Sequence, residues 1–306
     1  MKFISADEIA RVVSYKDIVE ALRDGFRADI ETPVRHHHET GPTTTLLLMP
    51  AWGAEFTGLK TVTVKTDNAA LGVPTVQAAY MLIDNKTGMP VCMMDGTELT
   101  RRRTACASAL ACDYLSRKDS STLLIVGAGA LALHFARAHA AVRPIKTVLI
   151  YNRTLAKAQT VAAALANERF AADAVSDLEN AIGRADIISG ITSSSAVIVK
   201  GAWLKAGTHV DLAGAFKPTM REVDGDTVAA ARVYVDTRDG ALAEAGDLIQ
   251  ARDEGRFDFK NVQGDLFELC RGQVHGRKTE AEITLFKSCG TALEDLAAAT
   301  LVHLRS

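Results

Sequence analysis

The apolar run Leu123-Leu124-Ile125-Val126 passes directly into Gly127-Ala128-Gly129-Ala130-Leu131-Ala132 and then a helical stretch, Leu133 to Val142. Such a run suits a strand buried on both faces of a parallel sheet. Glycines at 127 and 129 allow a tight turn and a close approach of backbone to a pyrophosphate, and small Ala132 lets the helix lie near the strand. The helix N-terminus adds N–H donors and the positive end of a dipole. A G-x-G-x-x-A pattern alone is weak, but this strand–turn–helix setting marks a dinucleotide site. Gly127, Gly129, Ala130 and Leu131 are the candidate pyrophosphate contacts.

The same β-α-β rhythm continues downstream. Strands are expected at Leu123–Val126, Thr147–Tyr151, Ala171–Val175, Ala185–Ser189, His209–Leu212 and Arg232–Val235, and helices at Leu131–Val142, Leu155–Asn167 and Leu178–Gly183. This alternation predicts an α/β fold, a doubly wound parallel Rossmann sheet with helices on both faces. Upstream the pattern differs. Two helical stretches, Ala6–Val13 and Tyr15–Asp29, carry Ile18, Val19, Leu22 and Phe26 at helical spacing. Apolar runs Thr45–Met49, Leu59–Lys65, Ala78–Ile83 and Pro90–Met94 then alternate with turn signals, as in a meandering antiparallel sheet. A helix over Thr97–Ser116 rich in small residues leads into the Rossmann part. A last helix, Ala292–Leu304, has Leu293, Leu296, Ala297 and Leu301 on one face and is expected to pack back on the N-terminal part. The reading is a discontinuous α+β domain, 1–115 with 285–306, around a Rossmann domain at 116–284.

Composition narrows the function classes. With 48% hydrophobic residues and a net charge of -2, the chain can bury a large core and has no basic excess for nucleic acid. No apolar run reaches the roughly 20 residues of a membrane span. Asp7 and Glu8 stand where a signal peptide would be apolar, so a cytoplasmic protein is expected. Five cysteines without a C-x-x-C pair read as buried thiols of a reducing compartment. His36-His37-His38 invites a metal, but on a strand at most two of them share a side, and none is expected.

The coenzyme is read from the end of the second Rossmann strand, Tyr151-Asn152-Arg153-Thr154. An acid usually stands there, about 20 residues beyond the glycines, to bind the 2′-hydroxyl of NAD. Here none does. Asn152 can hydrogen-bond without charge, Arg153 can pair with a 2′-phosphate and Thr154 can donate to it. NADPH is expected over NADH, with NADH still possible.

Gly58-Leu59-Lys60, Gly72-Val73-Pro74-Thr75-Val76-Gln77, Met94-Asp95-Gly96, Arg103-Thr104-Ala105, the glycine turn with Asn152-Arg153-Thr154, and Glu282-Ile283-Thr284-Leu285-Phe286-Lys287-Ser288 occur in this order. Together they resemble the ornithine cyclodeaminase/μ-crystallin family over nearly the whole chain. The resemblance implies a Rossmann domain beside a substrate-binding domain that makes a homodimer through its sheet. It implies that Arg35, Lys60 and Arg103 hold the carboxylate of an amino or imino acid beside the nicotinamide. A guanidinium and an ammonium can fix that anion and orient its reactive carbon. Lys60 and Arg103 are thus the catalytic candidates, with Arg103 also near the coenzyme. Thr75, Thr192 and Ala213 are implied to line the coenzyme site, and Ser288 to close the substrate pocket.

Cyclodeaminases of that family carry an aspartate in the turn after the fifth Rossmann strand. Phe216 stands there in this chain, and a phenyl ring cannot move a proton. Gly214-Ala215-Phe216-Lys217-Pro218-Thr219-Met220-Arg221-Glu222, with Glu244-Ala245-Gly246-Asp247-Leu248, looks instead like the subgroup of cyclic ketimine reductases. These take Δ1-pyrroline-2-carboxylate to L-proline and often Δ1-piperideine-2-carboxylate to L-pipecolate. Phe216 can pack against a ring methylene face. The alternatives are an NADPH-dependent alanine-type dehydrogenase, an ornithine cyclodeaminase and a non-enzymatic NADPH-dependent ligand-binding protein. The proton donor stays open: Lys60 qualifies if it is neutralised in the cycle, and water or a pre-protonated substrate would serve too.

Overall fold

Serine oxygens start both N-terminal helices in the computed structural model, which describes residues 1–306 apart from the side chain of Ala69. After β1 (Lys2–Ile4), Ser5 caps α1 (Ala6–Val12), and Ser14 with Asp17 forms a capping box on α2 (Tyr15–Arg27). α2 buries Ile18, Val19, Leu22 and Phe26, the face its spacing foretold. An antiparallel meander follows: β2 (His36–Gly41), β3 (Thr44–Trp52), β4 (Phe56–Lys65), β5 (Val76–Asp84) and β6 (Pro90–Asp95). β1 pairs in parallel with β6, giving the order β1-β6-β5-β4-β3-β2. The register places Lys60 of β4 opposite Tyr80 of β5.

Helix α3 (Gly96–Leu115) precedes the parallel part. There β7 (Thr122–Val126), α4 (Ala132–Val142), β8 (Thr147–Tyr151), α5 (Leu155–Ala166), β9 (Ala171–Val175), α6 (Leu178–Arg184), β10 (Ile187–Gly190) and β11 (His209–Leu212) alternate as expected. Next come α7 (Gly225–Ala230), β12 (Arg232–Val235), α8 (Arg238–Glu244), α9 (Gly246–Asp253), β13 (Gly264–Asp265), α10 (Leu266–Cys270) and β14 (Thr284–Lys287). All eight strands are parallel, in the order β13-β12-β14-β11-β10-β7-β8-β9. Leu124, Val126, Ile188, Val210, Leu212 and Leu285 belong to the core of this sheet. The last helix, α11 (Ala292–Arg305), packs on α2 and on β3, β4 and β5.

The chain divides into two compact units, residues 1–104 with 291–306 and residues 105–290. The division runs within α3 and after β14, where the sequence reading cuts at 115/116 and 284/285. β14 goes with the parallel sheet because it hydrogen-bonds on both sides, to β11 and to β12. Among the described residues, no helix is long and apolar enough to cross a membrane.

Candidate functional site

Two groups of residues carry chemistry, one in each unit. In the parallel unit, the glycine turn follows β7. Gly127 has φ +122°, its N–H donates to the Tyr151 carbonyl at 2.8 Å, and a Cβ there would press on Ile191 and Thr192. Only glycine fits that position. Gly129 differs: it is exposed, and a Cβ on it would meet nothing within 4 Å. No crowding by the protein requires a bare backbone there, and the open space is wide enough for a phosphate to approach it. Ala130 is exposed and Leu131 half-buried, and α4 starts without a side-chain cap, an end suited to phosphate oxygens.

Asn152 is committed to shaping this turn. Its Oδ1 accepts the Ala128 N–H at 3.3 Å and its Nδ2 donates to the Thr154 carbonyl at 3.0 Å. Arg153 and Thr154 are exposed, and Thr154 occupies the N-cap of α5 without making a side-chain capping bond. A guanidinium and a hydroxyl beside such a helix end suit a 2′-phosphate. Thr192 and Ala213 lie half-buried just past β10 and β11, at the strand ends where open α/β sheets hold ligands. These residues fit a dinucleotide.

Other residues of this unit have plainer roles. Phe216 is 40% exposed in the loop after β11. Asp211 is buried, accepts the Ser189 hydroxyl at 2.9 Å and lies 3.6 Å from His139, so it serves the core of the sheet. Ser288 is buried with its hydroxyl 3.4 Å from Asp236, whose carboxylate also accepts the N–H groups of Cys289 and Gly290.

In the other unit, strand alternation turns Lys60 inward from β4, and α3 presents Arg103. Both meet the first turn of α11. Lys60 is 1% exposed, with Nζ 2.7 Å from Asp295 Oδ2. Arg103 donates through Nε to Asp295 Oδ1 at 3.0 Å and through Nη1 to Glu294. Asp295 therefore bridges the two cations, and both acids are wholly buried. The Tyr80 hydroxyl, against Gly58, has no hydrogen-bond partner among the described residues. A Cβ at position 58 would collide with it.

Electrostatics separates the two cations. Burial, the Arg103 charge and a smaller push from Arg35 lower the Lys60 ammonium to about 8, against the pull of Asp295. Burial also opposes the charge on Arg103, but Asp295 and Glu294 outweigh it and hold the guanidinium above its ordinary value. Burial, then Asp295, keeps Tyr80 neutral well above its ordinary range. Lys60 can thus exchange a proton near neutrality while Arg103 stays charged. Arg35, Lys60 and Arg103 share this unit and each other's field. Thr75 is half-buried and its carbonyl accepts the Lys65 N–H at 2.8 Å.

Glu294 and Asp295 escaped the sequence reading, since acids in a first helical turn ordinarily answer the dipole. Their signal was position: they interrupt an otherwise apolar face of α11. His36 and His38 do share a side of β2, with ring centroids 6.5 Å apart.

The sequence profile of the ornithine cyclodeaminase/mu-crystallin family matches residues 3–306. A Paracoccus denitrificans protein named Delta(1)-pyrroline-2-carboxylate reductase is 39% identical, with 98% of this chain and 96% of that protein aligned. The structure of Thermococcus litoralis Delta(1)-pyrroline-2-carboxylate reductase in complex with NADH and L-proline is similar at a TM-score of 0.96 and 32% identity, covering 100% of this chain and 97% of that one. An archaeal alanine dehydrogenase dimer with bound NAD gives a TM-score of 0.93 at 28% identity, covering 100% and 95%.

Proposed function

Because the chain belongs to the ornithine cyclodeaminase/mu-crystallin family, we propose that it is an NAD(P)H-dependent ketimine reductase. It converts Δ1-pyrroline-2-carboxylate to L-proline and accepts Δ1-piperideine-2-carboxylate. The buried Lys60–Asp295–Arg103 cluster carries this reading: it offers a fixed positive charge and an exchangeable proton in one place.

When bound, the coenzyme supplies a hydride equivalent to the imine carbon. Arg103 and Arg35 hold the substrate carboxylate, and the acids behind Arg103 fix the direction of its guanidinium. The Lys60 ammonium gives its proton to the ring nitrogen as the C=N bond becomes a C–H and an N–H. Water then restores the proton to Lys60, so one imine is reduced, one coenzyme is oxidised and one proton is consumed. A lysine near 8 suits this step, because a useful general acid titrates close to the working pH. Gly127, Gly129, Ala130 and Leu131 would receive the pyrophosphate, with Thr192 and Ala213 beside it in the same unit, and Thr75, in the other unit, is the candidate for the nicotinamide side. Phe216, exposed in its loop, is the candidate apolar neighbour of the substrate ring, and Ser288 stays a candidate through the Asp236 contact that holds it.

Arg153 and Thr154 favour NADPH over NADH, although the related structures hold NADH and NAD. The same reading makes the protein a cytoplasmic homodimer of proline metabolism, and sedimentation equilibrium tests the dimer. Decay of NADPH absorbance tests the reaction. Rapid decay with Δ1-pyrroline-2-carboxylate, and little with pyruvate plus ammonia or without substrate, is the expected result. Decay only with pyruvate plus ammonia would replace this reading by the alanine dehydrogenase one.

A further inference from the structure

We infer that Glu222 is a positioning residue that ties together the two loops bordering the coenzyme site. One of its carboxylate oxygens, Oε1, accepts the Thr192 N–H at 2.7 Å, and the other, Oε2, accepts the Gly214 N–H at 3.0 Å. Those two amides each stand just past the end of a neighbouring strand, β10 and β11. Thr192 also lies against Gly127 of the glycine turn, where a Cβ would come within 3.2 Å of its Cγ2. A Cβ at Gly214 would collide with the Glu222 carboxylate, so the two are packed as closely as a bare backbone allows.

The backbone that carries this carboxylate is itself held in place. Asp247 of α9 accepts the backbone N–H groups of Glu222 and Val223 at 2.6 and 3.1 Å, and Lys287 of β14 lies 3.2 Å from Asp247. Arg221 is turned to Glu254 and the Val223 carbonyl. The charged neighbours that act on Glu222 are thus Lys287 and Asp247. Burial and Asp247 raise its carboxyl to about 7, against Lys287. Only the ionised carboxylate accepts both amides with full strength. Protonation places an O–H where one N–H must be accepted, and one loop loses its tie. Coenzyme affinity is therefore full above neutrality and declines as the pH falls through about 7.

This inference rests on coenzyme binding by the parallel unit and not on which imine is reduced. Isothermal calorimetry with NAD⁺, which lacks a titrating 2′-phosphate, tests it on the full chain. The wild type is expected to bind more weakly below pH 7, whereas E222Q binds about tenfold more weakly at pH 8 and shows no pH dependence. D247N keeps an acceptor oxygen for both amides but removes the charge that raises Glu222. Its affinity midpoint moves to lower pH, a shift that a general loss of packing would not produce. Wild-type affinity that is flat with pH, or an upward shift in D247N, would overturn the inference. Absence of any NAD⁺ or NADPH binding by the wild type would instead remove the coenzyme reading beneath it.

Discussion

Lys60 and Lys287 are both fully buried, and each faces an aspartate, at 2.7 Å for Asp295 and 3.2 Å for Asp247. They titrate in opposite directions. Beside Lys60, the guanidinium of Arg103 and the charge of Arg35 add to the penalty of burial, and the ammonium falls to about 8. Beside Lys287, burial is outweighed by Asp247 with help from Cys289 and Glu222, and the ammonium rises. In that second cluster the acid is the group pushed toward neutrality, with Glu222 at about 7. Burial is the largest cause in both clusters, and the surplus sign of the neighbours then decides whether the base or the acid titrates near physiological pH. A cation surplus suits a place that receives an anion and releases a proton. An acid surplus makes a clasp of backbone N–H groups sensitive to pH.

The largest effect should come from removing the titrating base. Lys60→Met should lower kcat about a thousandfold, the scale of a lost general acid, while calorimetric binding of NAD⁺ stays near wild type. Loss of coenzyme binding in this variant would break the division of labour between the two clusters. Arg103→Ala should raise KM for the imine on the order of a hundredfold, since a charge-assisted anchor is lost and Asp295 and Glu294 no longer face a guanidinium. Steady-state kinetics at saturating coenzyme checks it, and an unchanged KM would exclude the anchoring role.

Smaller changes sharpen the coenzyme side. Gly127→Ala places a side chain at φ +122° against Ile191 and Thr192. It should weaken coenzyme binding about tenfold or more through backbone strain of ~1–3 kcal/mol, read by calorimetry. Arg153→Ala should raise KM for NADPH several-fold and leave that for NADH unchanged, as expected for one exposed charge contact. Equal Michaelis constants for the two coenzymes in wild type and variant would defeat the NADPH preference.

Much of the parallel unit was legible because its signals are local. The run 123–126, the glycines and the small Ala132 sit side by side, and strand and helix periods alternate around them. β14 was not legible as a strand. Thr284–Lys287 is short, has no alternation, and enters the middle of the sheet after a long excursion, so only its partners β11 and β12 define it. β1 owes its pairing to β6 in the same way. The anionic half of the Lys60 cluster was hidden for a related reason. Asp295 meets Lys60 and Arg103 only when the last helix folds back on β4, and the chain between them records no trace of that distance. The cations themselves were found through their motifs.

The pH dependence of kcat/KM for Δ1-pyrroline-2-carboxylate, in wild type and Asp295→Asn, tests the proton-donating role of Lys60 most directly. The ammonium must be present to donate, so with coenzyme saturating at every pH the wild-type profile should hold below about pH 8 and fall as the pH rises beyond it. Asp295 raises Lys60, so its neutral replacement should move that limb to lower pH, while the substrate's own ionisation is common to both enzymes. A limb that stays in place, or moves upward, would contradict the account.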